Sequence, residues 1–177
     1  MPPFSRRIEE EGVRLHDVLL VRDGAFREAE LTALLSAGPH PVRGIPERLA
    51  DLQAQIAANA LGVRLLQDMV ARYGAEAVAA YMGHVQDDAG AAMREAIAAL
   101  PDGEHRFVDH LDDGARIAVR IEITGERARV DFTGTDALLP GNLNAPRAVV
   151  LAAVLYVFRT LIRRAVPLNQ GCFQPLE

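Results

Sequence analysis

Aspartate and asparagine side chains gathered on one strand-to-loop segment are the residues of this chain best suited to hold a small polar molecule. Residues 129 to 146 read Arg-Val-Asp-Phe-Thr-Gly-Thr-Asp-Ala-Leu-Leu-Pro-Gly-Asn-Leu-Asn-Ala-Pro. The segment begins as a strand, because Val130 and Phe132 alternate with Arg129, Asp131 and Thr133. Gly134, Pro140, Gly141, Asn142, Asn144 and Pro146 then break it into a loop, and such loops present polar side chains to ligands. Asp131 has the chemistry of a general base or a hydrogen-bond acceptor. Its structural alternative is a cross-strand ion pair with a neighbouring arginine, Arg120 or Arg129.

Other groups have reactive character. Asp51, Gln55 and Asn59 recur every four residues, so on a helix they stack along one face; that row either fixes helix register or faces a ligand. Glu9, Glu10 and Glu11 are adjacent, but adjacent side chains diverge, so a solvated acidic turn competes with a shared site. His105, Asp109, His110, Asp112 and Asp113 are chemically suited to a transition metal, yet their spacing matches no ligand pattern and fits a solvated hairpin end equally well. No metal site is therefore assigned. His84 reads as an interhelical hydrogen-bonding residue, and Cys172 as either a buried thiol or a nucleophile that needs a base beside it. There is no Gly-rich phosphate loop ending in Lys-Ser/Thr, no Gly-x-Gly-x-x-Gly after a strand and no Gly-x-Ser-x-Gly elbow.

The elements that must position these groups follow from periodicity. Short strand character at Val18–Val21 precedes the Asp23-Gly24 turn, and a short helix is expected from Glu28 to Leu35. A long helix starts near Pro46, with Leu49, Leu52, Ile56, Asn59, Val63, Leu66 and Val70 on one seam, and ends at Gly74. A third runs from Ala75 to about Leu100, with Val78, Met82, Val85, Ala89, Ala92 and Ala96 inward; Gly83 and Gly90 permit close approach. Beyond Asp113-Gly114, Ile117, Val119, Ile121 and Ile123 alternate strictly, then Gly125-Glu126 forms a two-residue hairpin loop of type II′ before Ala128, Val130 and Phe132. The apolar run Ala148 to Phe158 is too short for a membrane span and reads as a buried C-terminal helix. The fold class is α+β: two long antiparallel helices packed on a small antiparallel sheet, in a single domain over residues 1–177.

Bulk properties narrow the function. A chain of 177 residues can bury roughly 70% of its unfolded surface, enough for a core. The net charge of -5 and scattered basic residues argue against nucleic acid. Basic residues near the start have no apolar run behind them, so no secretory signal is read, and one cysteine suits a reducing cytoplasm.

Motifs spread along the chain carry a resemblance. Met-Pro-Pro-Phe-Ser (1–5), Glu-Glu-Gly (10–12), Asp-Leu-Gln-Ala-Gln-Ile-Ala-Ala-Asn (51–59), Ala-Tyr-Met-Gly-His-Val-Gln (80–86), Asp-Asp-Gly (112–114), Asp-Phe-Thr-Gly-Thr (131–135), Gly-Asn-Leu-Asn-Ala-Pro-Arg (141–147) and Pro-Leu-Asn-Gln-Gly-Cys (167–172) occur in this order. Together they resemble the hydantoinase B/oxoprolinase family, closest in flavour to the C-terminal half of ATP-dependent 5-oxoprolinase. The resemblance implies a hydrolase system for cyclic amides, connected through 5-oxoproline to glutathione metabolism. A hydantoinase A-type partner would use ATP and Mg²⁺ to phosphorylate the amide oxygen, and the B part would complete ring opening with water. A divalent metal would belong to the longer family site. It also implies that Asp131 acts in catalysis and that Asn142, Asn144, Asn169, Asn59, Gln55 and Glu11 contact substrate.

The resemblance departs from the family in two ways. Family members are longer at both ends, so the chain is expected to be an internal piece, inactive alone. The segment before Asp51 is shortened, and Gly90 stands where relatives tend to carry glutamate; either change would remove a site contact. Two rival readings remain: a non-catalytic assembly module, and part of an acetone carboxylase-like alpha subunit. A homo-oligomer is expected, because a partial core exposes apolar surface.

Overall fold

The computed structural model describes residues 5–177. Residues 1–4, which carry part of the family resemblance, lie outside the described residues. The fold is α+β and divides into two compact units, Met1–Tyr73 with Pro140–Leu143, and Gly74–Leu139 with Asn144–Glu177.

In the first unit a 3₁₀ turn, Ile8–Glu11, precedes a small antiparallel hairpin of β1 (Val21–Arg22) and β2 (Ala25–Phe26). Asp23 and Gly24 both take positive φ, 52° and 79°, as a tight Asp-Gly hairpin turn requires. Helices α1 (Glu28–Ser36) and α2 (Ile45–Tyr73) follow. Leu31, Leu35 and Leu49 form the buried centre, with Val18, Leu20, Phe26, Val42, Ile45 and Leu52 packed around it. Val18 and Leu20 thus serve the core, and strand pairing starts only at Val21. Arg27 Nη1 donates to the Leu19 carbonyl at 3.0 Å and fastens the hairpin to the start of α1.

The seam expected along α2 is covered only near its start. Leu49 is buried, Leu52 and Ile56 are half-buried, and Asn59, Val63, Leu66 and Val70 are exposed, Val63 by 56%. Periodicity says which residues share a helix face; it does not say that the face is covered. The three residues that α2 shares with its unit's core, Ile45, Leu49 and Leu52, all lie in its first two turns.

In the second unit, α3 (Ala75–Ala98) leads to β3 (Gly103–His110), β4 (Arg116–Thr124) and β5 (Arg127–Asp131), then α4 (Arg147–Arg159) and a 3₁₀ turn, Gln170–Phe173. The strands form an antiparallel sheet in sequence order. Gly125 opens the β4–β5 loop at φ 57°, as the glycine-first hairpin requires. Ala89, Ala92, Met93 and Ile97 of α3 meet Ile123, Ala128, Phe158, Val166 and Cys172 in one buried cluster. Met82 and Val85, expected inward, are instead exposed, while Met93 and Ile97 take the inward places. The sheet and α4 reach only the C-terminal half of α3, so that half decides the buried face. Helix α4 buries Phe158 and packs Val154 and Leu155 against the cluster, leaving Tyr156 and Val157 exposed. Among the described residues, no helix is long and apolar enough to cross a membrane.

Three backbone hydrogen bonds bind the tail of the chain to this unit. Ala128 N donates to the Pro175 carbonyl at 3.0 Å, Glu177 N to the Ala128 carbonyl at 3.0 Å, and Val130 N to the Glu177 carbonyl at 2.8 Å. The tail therefore adds to β5 as a parallel strand and brings Leu176 onto the core. At Gly171 the backbone lies so close to α3 that an added Cβ would stand 1.9 Å from the Gln86 carbonyl oxygen. A Cβ at Gly90 would meet the Gln174 side chain at 2.3 Å.

These two glycines should respond differently to alanine. At Gly171 the obstacle is backbone, which cannot swing aside, so Gly171→Ala should lower stability to urea by about 2–3 kcal/mol. At Gly90 the nearest obstacle is the end of the Gln174 side chain, with the Gly171 carbonyl oxygen farther off at 3.3 Å, and alanine gains about 1 kcal/mol of helix propensity. Gly90→Ala should be the milder change in the same urea titration.

Candidate functional site

Asp131 closes β5 opposite Arg120 of β4. Its Oδ2 accepts from Arg120 Nη2 at 2.7 Å and its Oδ1 from the Thr133 backbone N–H at 2.8 Å. Arg120 Nη1 also donates to Glu104 at 3.3 Å, and Arg106 Nε donates to the other oxygen of Glu104 at 2.6 Å. A chain of alternating charge thus runs across the polar face of the sheet. Hydrogen bonds from the Thr133 hydroxyl and backbone, then from Arg120, bring the Asp131 carboxyl down to about 2. Arg106 and then Arg120 hold Glu104 below the usual carboxylate range, and Asp131 and Glu104 raise Arg120. A carboxylate held this way is ionised and weakly basic, which suits fixing the end of β5 or orienting a donor better than taking a proton at neutral pH.

Beyond Asp131 the loop takes the place of a strand. β4 continues to Arg116 where β5 has ended, and its exposed backbone groups find side chains instead. The Thr135 hydroxyl donates to the Ala118 carbonyl and accepts from the Ala118 N–H, both at 3.0 Å. Asp136 Oδ2 accepts from Arg116 N at 2.8 Å, and Asp136 N donates to the Arg116 carbonyl at 3.0 Å. Gly134, at φ 99°, makes the bend that this path needs. The Asp-Phe-Thr-Gly-Thr motif is therefore the device that ends β5 while keeping β4 paired.

The amides behave similarly. Asn144 accepts from Leu139 N at 2.9 Å and donates to the Leu139 carbonyl at 2.8 Å, a two-point clasp that imitates a strand partner. Asn169 caps the Gln170–Phe173 turn by accepting from Gly171 N at 2.8 Å, and its Nδ2 donates to the Val85 carbonyl at 3.2 Å and the Pro167 carbonyl at 3.1 Å. Asn142 is half-buried. Glu11 is half-buried at the end of its 3₁₀ turn, whereas Gln55 and Asn59 are exposed on α2. Glu11, Gln55, Asn59 and Asn142 belong to the first unit; Asp131, Asn144 and Asn169 belong to the second.

The remaining candidates are dispersed. His105, Asp109 and His110 lie along exposed β3, with the Asp109 carboxylate accepting from the His110 N–H at 2.9 Å and Asp113 from the Ala115 N–H at 3.0 Å. Among the described residues, no three His, Cys, Asp or Glu side chains converge to hold a metal ion. His84 stands edge-on to Tyr81, ring centroids 5.7 Å apart, with both residues exposed. Cys172 is fully buried in the core cluster. Sequence reasoning missed the strand-completing roles of Thr135 and Asp136. The signal available was Thr-Gly-Thr-Asp directly after an alternating strand, four residues that favour bends and side-chain-to-backbone bonds.

The model of the family described as Hydantoinase B/oxoprolinase matches residues 1–177. The chain belongs to this family. Among relatives, 5-oxoprolinase 1 of Arabidopsis thaliana is 37% identical over 201 residues, covering 100% of this chain and 16% of that protein. The 5-oxoprolinase of Dictyostelium discoideum is 34% identical over 185 residues, covering 99% of this chain and 14% of that protein. In structure the chain is similar to the ATP-dependent caprolactamase from Pseudomonas jessenii, with a TM-score of 0.80 and 27% identity over 98% of this chain and 30% of that one. The family match spans both units, and the chain corresponds to a minor part of each of these relatives.

The low carboxyl pKa at Asp131 has a measurable sign. Folded Asp131 titrates near 2, whereas an unfolded aspartate titrates near 3.9. Its stabilisation is thus complete above about pH 4 and is lost as pH falls toward about 2. Asp131→Asn should be less stable than the parent at pH 7, and urea titrations should show the gap narrowing by pH 3. A gap that stays constant from pH 7 to pH 3 would exclude the ion pair as its source.

Proposed function

We propose that this chain supplies a scaffold segment of the hydantoinase B-like part of an ATP-dependent cyclic amide hydrolase. The observation that carries this reading is the fold shared with an ATP-dependent caprolactamase along nearly the whole chain. Relatives named 5-oxoprolinase support the same substrate class, since caprolactam and 5-oxoproline are both lactams. An unstrained lactam is a poor electrophile. Transfer of a phosphoryl group from ATP to its oxygen, assigned here to a hydantoinase A-type partner, would make the ring carbon open to water. Among the described residues no three His, Cys, Asp or Glu side chains converge to hold a metal ion, and the sequence has no phosphate-binding Gly-rich loop.

Within this reading, Asn142 is taken as a substrate contact because the family resemblance implies it. Asp131, Asn144 and Asn169 serve the frame of their own unit, because each directs hydrogen bonds at neighbouring backbone or a partner arginine. The same bonds favour a second reading, in which the chain is a non-catalytic assembly module that docks on the hydantoinase A-type partner.

ATP-dependent release of glutamate from 5-oxoproline, measured with this chain and with a hydantoinase A-type partner, separately and mixed, distinguishes the two. Turnover that appears only in the mixture supports the hydrolase reading, and Asn142→Ala should then lower kcat/KM by about 10²-fold or more. A stable complex without turnover, with the partner's own ATPase intact, supports the assembly module.

A further inference from the structure

Strand β3 is an open edge of its sheet. It runs for eight residues, Gly103–His110, all of them exposed, and among the described residues it pairs only with β4. Its neighbour fixes the direction of its backbone groups. Ala118 and Arg116 of β4, opposite Val108 and His110, give their N–H and C=O groups to Thr135 and Asp136 on the far side. Val108 and His110 are therefore not bonded to β4, and by alternation neither are Glu104 and Arg106; these four point their backbone groups outward. The Leu111 N–H, next along, turns back to the Ala115 carbonyl at 2.9 Å, as the alternation requires. The outward His110 N–H donates to the carboxylate of its neighbour Asp109 at 2.9 Å.

An open edge of this kind is a template for another strand, and the charges along it decide which strand and which register can pair. A copy of β3 laid antiparallel must set outward residues opposite outward residues, so the available registers differ by steps of two residues. One of them uses residues 104–110: Glu104 meets His110, His105 meets Asp109, Arg106 meets Val108, and Phe107 meets its own copy on the two-fold axis. A step one way sets Arg106 against Arg106. A step the other way sets Arg106 against His110 and leaves only 106–110 paired; a larger shift that keeps 103–107 sets His105 against itself. Phe107, 65% exposed, shares a sheet face with Val119 and Ile117. On the axis it would form a non-hydrogen-bonded pair, where facing side chains come closest and two aromatic rings gain most.

We propose that β3 pairs antiparallel with β3 of a second copy of this chain, in the register centred on Phe107, and joins two three-stranded sheets into one. The outward N–H and C=O groups of Glu104, Arg106, Val108 and His110 all gain partners. The His110 N–H passes from Asp109 to the Glu104 carbonyl of the other copy, and the released Asp109 carboxylate faces His105 there. A second copy fits better than an unrelated strand because this short sequence is complementary to itself under two-fold rotation, which is what an isologous interface requires. The proposal goes beyond the ring-opening reading and does not depend on it. The contact is small, so the dissociation constant should be on the order of 10–100 µM.

Sedimentation of the intact chain from micromolar to millimolar concentration tests this and should show a reversible dimer. Val108→Pro removes an outward donor and leaves the β3–β4 ladder alone, so it should weaken the dimer at least tenfold with the circular dichroism spectrum unchanged. His105→Glu, which faces Asp109 of the other copy, should weaken it likewise, and adding Asp109→Lys should restore the parent affinity to within about threefold. The register is read by oxidation with copper phenanthroline. Phe107→Cys should cross-link two copies at least tenfold faster than Val108→Cys, which faces Arg106; Cys172 is buried and takes no part. Should Val108→Pro unfold, the charge exchange and the cross-link still decide the matter. A monomer at every concentration, including one that uses β3 only to bind a hydantoinase A-type partner, would overturn the proposal. So would a dimer that tolerates Val108→Pro in a folded chain, or equal cross-linking of the two cysteine variants.

Discussion

The contact between the Gln170–Phe173 turn and α3 is what the second unit depends on. Gly171 lies where any side chain would strike the Gln86 carbonyl, and Asn169 bonds both to that turn and to the Val85 carbonyl. Cys172, next along the turn, is fully buried in the same core cluster as Ala89 and Met93. With the turn seated, the tail from Pro175 to Glu177 runs parallel to β5, and Leu176 joins the core. One close backbone approach thus joins helix, sheet edge and tail.

The same economy appears at the other end of β5. A strand that stops before its neighbour leaves backbone groups without partners, which costs free energy unless something replaces them. Thr135 and Asp136 replace them with side-chain oxygens, and Asn144 does the same for Leu139. Arg120 and Asp131 lock the last rung. The polar residues that look reactive in the sequence are in large part the ones that let a loop leave a sheet without losing hydrogen bonds.

That observation explains what the sequence could reveal. Alternation from Ile117 to Ile123 identified β4, and glycine-first chemistry at Gly125 identified the hairpin, because both signals are local. The inward face of α3 was legible only in part: Ala89 and Ala92 are buried, but Met82 and Val85 are exposed, since cover depends on where α4 and the sheet happen to lie. Asp131 and Asn169 were visible as polar residues beside turns. The hairpin offered Arg120 or Arg129 as the partner of Asp131, and the structure selects Arg120; the partner of Asn169 was not legible, because Val85 is 84 residues away and no periodicity connects them. Family motifs located the loop, while the structure shows how Asp131, Thr135, Asn144 and Asn169 are employed.

Native-state hydrogen exchange of the intact chain tests the central claim most directly. If the Gln170–Phe173 turn is integral to the core, the amides of Gly171, Val130 and Glu177 should exchange no faster than that of Met93 in α3, all through the same global opening. Exchange of Gly171 and Glu177 through a separate opening of much lower free energy, with Met93 still protected, would contradict it: turn and tail would then be an accessory laid on a core that stands without them.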